Sequence, residues 1–443
     1  EMLDASTSNG GIAGIPGNIA IGHLAFQEPS TYTAGAENIA IGVRALNSDT
    51  AKTDMLTNNI AVGAYAGNNY TGIRNTIVGD RAAQTPNNSN TIVGSSAMAA
   101  ATGINDYNTV VGASSLNRYN ASGYYMNTVV GYYAGVNLAT GDYNTMLGAN
   151  AETYYTNSAY NTSVGYRAKC GYRYNVSVGQ EAGYSMYNQS DHCTLVGYRA
   201  GYDLDGGDYC TFLGSYAGYS GGSGAYNVGM GYSALYSLTS GQNNTSMGRQ
   251  AGRTVTSGDQ NTYIGMQSGY NSNGANADNV TALGYRAHFN GSSGNNNVCI
   301  GAQSEPSSST VANEITLGDS NITGLRSNVQ TISSLSDERD KTAIEDLSHG
   351  LSFINDMRPV QYTWNRRDGT LGAKKDMGFI AQELYDVELE HSSTSRTRLV
   401  SWENPSRLEA DYVRTYPILI KAVQELSAKC DALEARITEL EGA

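Results

Sequence analysis

The chain has 443 residues, with 52 Gly, 33 Tyr and only 7 Pro, a formal net charge of -13, and charged residues at 15% of the total. An acidic chain with no basic patch in its repeats offers no electrostatic footprint for nucleic acid, and no run of about 18 apolar residues is present to span a membrane as a helix. It opens at Glu1 without a charged-then-apolar leader, as expected of a processed product or a fragment of something longer, and nothing in it calls for a cofactor or a metal.

From the N-terminus a short block recurs with a period of about 17 residues. It reads Asn18-Ile19-Ala20-Ile21-Gly22, Asn75-Thr76-Ile77-Val78-Gly79, Asn108-Thr109-Val110-Val111-Gly112, Asn144-Thr145-Met146-Leu147-Gly148 and Asn261-Thr262-Tyr263-Ile264-Gly265, and ends at Gly318. So short a fixed period is the mark of a solenoid, whose turns touch only their neighbours and bury nothing alone.

Each slot of the block carries a requirement. The residue before the glycine is aliphatic or Met (Ile21, Val62, Val93, Leu147, Met247), and the one three before it is β-branched (Ile39, Thr91, Thr128, Val176, Ile315). These slots share the parity of an extended strand and are expected to face the interior of the turn. The slot between them varies (Ala40, Ile92, Ser163, Phe212, Gly229, Cys299) and is expected to meet something less uniform. Three residues after the glycine stands Ala or Ser (Ala25, Ala66, Ala134, Ala217, Ser268), which implies close packing. A turn of this length affords two short strands and no thick core, so several rods are expected to pack around a common axis. The remaining residues are loop formers such as Thr140-Gly141-Asp142-Tyr143, expected to project outward.

Ile19-Ala20-Ile21-Gly22 with Ala25, and Ile60-Ala61-Val62-Gly63 with Ala66, resemble the coils of the left-handed parallel β-roll head of YadA-like trimeric adhesins. The resemblance covers most of residues 1–318 and implies a trimeric β-roll shaft.

Five cysteines occur, at 170, 193, 210, 299 and 430; Cys193 and Cys210 replace the block Asn in successive repeats, where buried thiols are favoured over a disulfide. The Asn ladder itself is expected to face outward. Tyrosines after the repeat glycine (Tyr132, Tyr133, Tyr166, Tyr198, Tyr216, Tyr232, Tyr285) are expected to line up along the rod, either stacking across turns or meeting sugar rings. Loop acids (Asp80, Glu152, Glu181, Asp203, Asp208, Asp259) form no recurring pair of the kind a glycan depolymerase needs.

Past Gly318 the register breaks. Residues 319–335 read as a linker and cleavage region, 336–415 as a separate small α+β domain holding both tryptophans, Trp364 and Trp402, and 416–443 as a helix. Taken alone, Ser336-Asp337-Glu338-Arg339 is an ordinary helix start with Ser as N-cap. Its neighbours change that reading: Ser336-Asp337-Glu338-Arg339-Asp340-Lys341, Met357-Arg358-Pro359-Val360-Gln361-Tyr362-Thr363-Trp364 and Met377-Gly378-Phe379-Ile380-Ala381-Gln382-Glu383-Leu384, in this order, resemble the intramolecular chaperone (S74 peptidase) domain of phage endosialidases and tail fibres. That resemblance implies a catalytic dyad of Ser336 as nucleophile and Lys341 as general base, self-cleaving the bond between Leu335 and Ser336. A Ser-Lys pair is chemically sufficient, because lysine can take the hydroxyl proton when desolvation lowers its pKa. Asp340 replaces a more usual apolar residue, and a carboxylate beside Lys341 is expected to keep it charged and slow the cut. Arg339 is given a positioning role at most, and His349, before Gly350 at an expected helix end, no chemistry.

In the last segment Leu419, Val423, Leu426, Cys430, Leu433, Ile437 and Leu440 recur in heptad steps flanked by charges, as expected of a trimeric coiled coil. The chain therefore reads as mainly β: a trimeric β-roll shaft, a small α+β chaperone domain and a coiled coil. The expected function is that of a homotrimeric viral tail fibre precursor, on the virion surface or otherwise extracellular, meeting a host cell-surface glycan or protein receptor. Its C-terminal domain aligns the chains while slow, non-local β pairing proceeds and then cuts itself off. A bacterial YadA-like adhesin and a glycan-binding or depolymerising fibre are the alternatives, the first disfavoured by a soluble, charged C-terminal helix.

Overall fold

The computed structural model describes residues 17–26, 36–47, 56–69, 72–83, 88–100, 105–117, 124–188, 190–271, 277–290, 294–322, 324–326, 328, 336–365, 375–391, 398–401 and 408–442. The chain divides into two compact units, Glu1–Leu317 and Gly318–Ala443.

The first unit is a parallel β-solenoid. Its 18-stranded sheet is built from three-residue strands, Ile19–Ile21 through Ile315–Leu317, paired in parallel in chain order with equivalent slots in register, as in Thr145↔Thr162, Met146↔Ser163 and Leu147↔Val164. Two strands per turn were expected; apart from isolated bridges, a second one occurs among the described residues only where Asn105–Asp106 pairs with Tyr124–Tyr125 and Glu152–Thr153 with Lys169–Cys170. The small residue after each glycine closes a tight turn: Ala217 is fully buried, and its N–H donates to the Gly214 carbonyl at 3.2 Å.

The facing of the strands is the reverse of the expectation. From Ala40 to Cys299 the central residue of every ladder strand is buried, whereas its two uniform neighbours are half-buried or exposed throughout. A three-residue strand can aim either its central side chain or its two flanking ones inward, and the thin interior takes the single central one. In several turns the size of that residue is matched by the one four after the glycine. Phe212 lies against Gly218 and Tyr263 against Gly269, so closely that a β-carbon on either glycine would overlap the ring. Where the central residue is small, as at Ala40 and Gly229, the matching residue is Leu46 or Leu235, itself fully buried. In these turns large and small exchange between the two slots, whereas Ile92 and Met98 are both large and Ala61 and Gly67 both small.

The Asn ladder is also inside. Asn144, 1% exposed, donates its N–H (2.9 Å) and Nδ2 (3.1 Å) to Oδ1 of Asn127, and Nδ2 also donates to the Ser158 carbonyl of the next turn at 2.9 Å. These bonds satisfy amides that would otherwise be buried without partners, a cost of about 1–3 kcal/mol each. Cys193 and Cys210 are buried free thiols, as expected, and take over the bond to the next turn, donating to Gly207 O at 3.1 Å and Gly224 O at 3.2 Å.

Cross-turn stacks form, but not in the tyrosine row after the glycine, where Tyr198 meets Tyr216, and Tyr216 meets Tyr232, edge to face. One face-to-face column runs Tyr143, Tyr160, Tyr174, His192, Tyr209, Tyr226, with neighbouring centroids 4.8–5.1 Å apart, and a second runs Tyr184, Tyr202, Tyr219, Tyr236. In line with the second, Arg253 lies between Tyr236 (5.4 Å) and Tyr270 (5.5 Å), a guanidinium substituting for a ring.

His288 is fully buried, and neither ring nitrogen has a hydrogen-bond partner among the described residues. Burial pulls its pKa down to about 4. The unfolded chain takes up this proton near pH 6.5, so between that pH and 4 the unfolded state binds more protons and stability falls as pH falls. Urea midpoints measured from pH 7 to 4 are expected to drop more steeply for wild type than for His288→Leu, the full difference being on the order of 3 kcal/mol. Parallel curves would show that the ring is not buried neutral.

The second unit is small and α+β. Helices α1 (Leu351–Asp356), α2 (Ala381–His391) and α3 (Thr415–Glu441) accompany an antiparallel pair, Val360–Thr363 with Lys375–Gly378, and a shorter pair, Val400–Ser401 with Glu409–Ala410. Its core gathers Phe353, Met357, Leu384, Val387, Leu399, Val400 and Ile418. Two carboxylates fasten it from within: Glu425 of α3 accepts from Leu351 N at 2.7 Å, and buried Glu388 of α2 accepts from Leu399 N at 2.8 Å. His349 precedes α1, where a helix end was expected, and its ring lies edge-on to Phe353. Trp402 lies outside the described residues.

Candidate self-cleavage site

A short 3₁₀ turn, Glu338–Asp340, opens the described part of this region. Its N-cap is Asp337, one residue later than the sequence suggested: Oδ1 accepts from Arg339 N at 2.9 Å, and the side chain of Arg339 closes back on the same carboxylate through Nε to Oδ1 (3.0 Å) and Nη2 to Oδ2 (2.6 Å). That guanidinium holds the Asp337 carboxyl below the usual carboxylate range. The turn ends at Lys341, which returns to extended backbone.

The two residues assigned to the dyad are thereby brought together. Lys341 Nζ donates to Ser336 Oγ at 2.6 Å and to Ser336 O at 3.2 Å. The distance suits proton transfer between hydroxyl and amine. Among the described residues the hydrogen bonds of Nζ go to Ser336. Both Ser336 and Lys341 are exposed in the single chain. Leu335, the other side of the expected scissile bond, lies outside the described residues, as do residues 329–334 of the linker. The Met357 and Met377 motifs meet elsewhere in the unit: Arg358 Nε donates to Glu383 Oε2 at 2.9 Å, and Met357 packs in the core with Leu384. Both motifs contribute to the fold of the unit.

On α3, Ile418 and Ala422 are buried, while the heptad residues Leu419, Val423, Leu426, Leu433, Ile437 and Leu440 and the Cys430 thiol are exposed. The helix uses one face on its own unit and leaves the expected seam bare. Among the described residues no group of His, Cys, Asp or Glu has the arrangement of a metal site, and no helix is long and apolar enough to cross a membrane.

Residues 336–392 match the family model Peptidase_S74, the chaperone of endosialidase. The match begins at Ser336 and covers all three motifs. No curated protein matches the chain. The match of this segment to a self-cleaving chaperone family is consistent with a cut made by the chain on itself.

Proposed function

We propose that the chain is the precursor of a homotrimeric surface fibre, a viral tail fibre, whose C-terminal unit aligns three copies while the shafts fold and then severs itself before Ser336. The observation that carries this is the 2.6 Å contact of Lys341 Nζ with Ser336 Oγ at the first residue of the segment matching the chaperone family. The cut is an acyl transfer followed by hydrolysis. Ser336 Oγ bonds the carbonyl carbon of Leu335, its proton passes by way of Lys341 Nζ to the departing Ser336 nitrogen, and the C–N bond breaks. Water then hydrolyses the ester, leaving a carboxylate on Leu335 and restoring the Ser336 hydroxyl. Lysine serves as base when water is withdrawn from it. Packing of neighbouring copies over the exposed dyad would withdraw it, which ties the cut to completed assembly.

Two bare apolar surfaces support assembly. One is the α3 seam. The other is the outer face of the ladder, where Ile21, Leu147, Val196, Met247, Ile264 and Ile300 are all more than one-third exposed. Eighteen strands spaced about 4.8 Å and about 10 Å wide give a face on the order of 800 Å², the contribution one partner makes to a standard stable interface. Exposed rings such as Tyr132, Tyr166 and Tyr232 offer contacts to a host-surface glycan or protein.

On a denaturing gel, wild type is expected to yield fragments of residues 1–335 and 336–443, and Ser336→Ala and Lys341→Ala only the intact chain, all three being trimers by native mass. Uncut wild type would remove the peptidase reading and leave the chaperone one; a monomer would remove both.

A further inference from the structure

Ser336 and Lys341 are five residues apart, and the chain between them must fold back for their side chains to meet. Every hydrogen bond that folds it back begins at or next to one residue. Asp337 O accepts from Asp340 N at 3.2 Å, Glu338 O from Lys341 N at 3.1 Å, and Asp337 Oδ1 from Arg339 N at 2.9 Å. No residue of the turn is buried, so apolar packing does not hold it. A single 3₁₀ turn has poor bond geometry and a high nucleation cost, and its persistence rests on its cap. The cap is itself held in place, since Arg339 grips both carboxylate oxygens of Asp337.

We propose that Asp337 is the positioning residue of self-cleavage: by capping the Glu338–Asp340 turn it returns Lys341 to Ser336, with Arg339 fixing the rotamer of the cap. This rests on the proposed Ser-Lys cut. Among the described residues Asp337 bonds neither Ser336 Oγ nor Lys341 Nζ, so its effect passes through backbone geometry and not through the proton transfer.

The test follows release of residues 336–443 from the full-length chain over time at several pH values, with Ser336→Ala as the blocked reference. Asp337→Ala is expected to slow release by about tenfold, the effect of losing a cap, without moving the midpoint of the pH–rate profile, because the base is unchanged. Asp337→Asn keeps an acceptor oxygen for Arg339 N and is expected to restore most of the rate; it also remains informative should Asp337→Ala misfold. Arg339→Ala is expected to fall between them. Release by Asp337→Ala at the wild-type rate would overturn the proposal, as would Asp337→Asn as slow as Asp337→Ala with a shifted midpoint, which would make the carboxylate an electrostatic partner of the lysine. If Ser336→Ala is cut as fast as wild type, or wild type is not cut at all, the peptidase reading itself is wrong and this inference falls with it.

Discussion

Gly214→Ala is expected to destabilise the shaft by about 3 kcal/mol or more, because it combines two penalties that cannot relax separately. Gly214 has φ +136°, a conformation essentially confined to glycine, and a β-carbon there would lie 2.6 Å from the carbonyl oxygen and 2.7 Å from the carbonyl carbon of Gly231 in the next turn. The obstruction is backbone, so no rotamer change relieves it. Moving Gly231 would disturb its own N–H, which donates to Leu213 O at 2.7 Å in the ladder. Stability in a solenoid is a sum of turns and interfaces between neighbours, so the defect should open the rod locally. Urea unfolding should show a lowered midpoint, and limited proteolysis a new cut in the neighbouring loops. Gly324→Ala, where an added β-carbon meets nothing within 4 Å, is the matched control and is expected to be silent. Equal midpoints for wild type and Gly214→Ala would mean that the turns are not stacked as described.

The repeat was legible because backbone geometry leaves little choice at its fixed points. Only glycine suits a left-handed turn pressed on the turn above, and only Ala or Ser fits three residues later, so these slots announce themselves without knowledge of the fold. Which side of the strand faces inward was not legible from uniformity. Ile21, Val62 and Leu147 share the parity expected of the interior, yet they are the outer face, and their constancy goes with one repeated exterior environment. In several turns a second slot complements the interior one, and the pairs Phe212 with Gly218 and Gly229 with Leu235 are visible in the sequence once the two positions are compared. The inward turn of the Asn ladder follows from the same reversal. The aromatic columns escaped notice because one member is His192, and because the stacking positions are not those beside the glycine. At the candidate site the Ser336–Lys341 approach agrees with the family resemblance, but the cap fell to Asp337, since a carboxylate gripped by Arg339 is a better fixed acceptor than a hydroxyl needed elsewhere.

The reversal also says where charge should separate assembly from folding. Leu147 and Val164 are register partners on the outer face, half-buried or exposed in the single chain. Replacing both by Asp should cost a lone shaft little, since the new carboxylates reach water. Packed against two other copies they would be buried charges without partners, a cost of several kcal/mol for each copy. The double variant is therefore expected to keep the β-rich circular dichroism of wild type and to lose the trimer that wild type should show in unheated SDS, where helix seams alone would not hold three chains. Leu195→Asp is the opposite case. Its site is fully buried in the interior of the turn, so it is expected to open the neighbouring turns and weaken the β signal whether or not chains associate. If instead the outward pair leaves an SDS-resistant trimer intact while folding is normal, the copies meet on some other face, and the uniform aliphatic rows must be conserved along the rod for contact with something other than this chain.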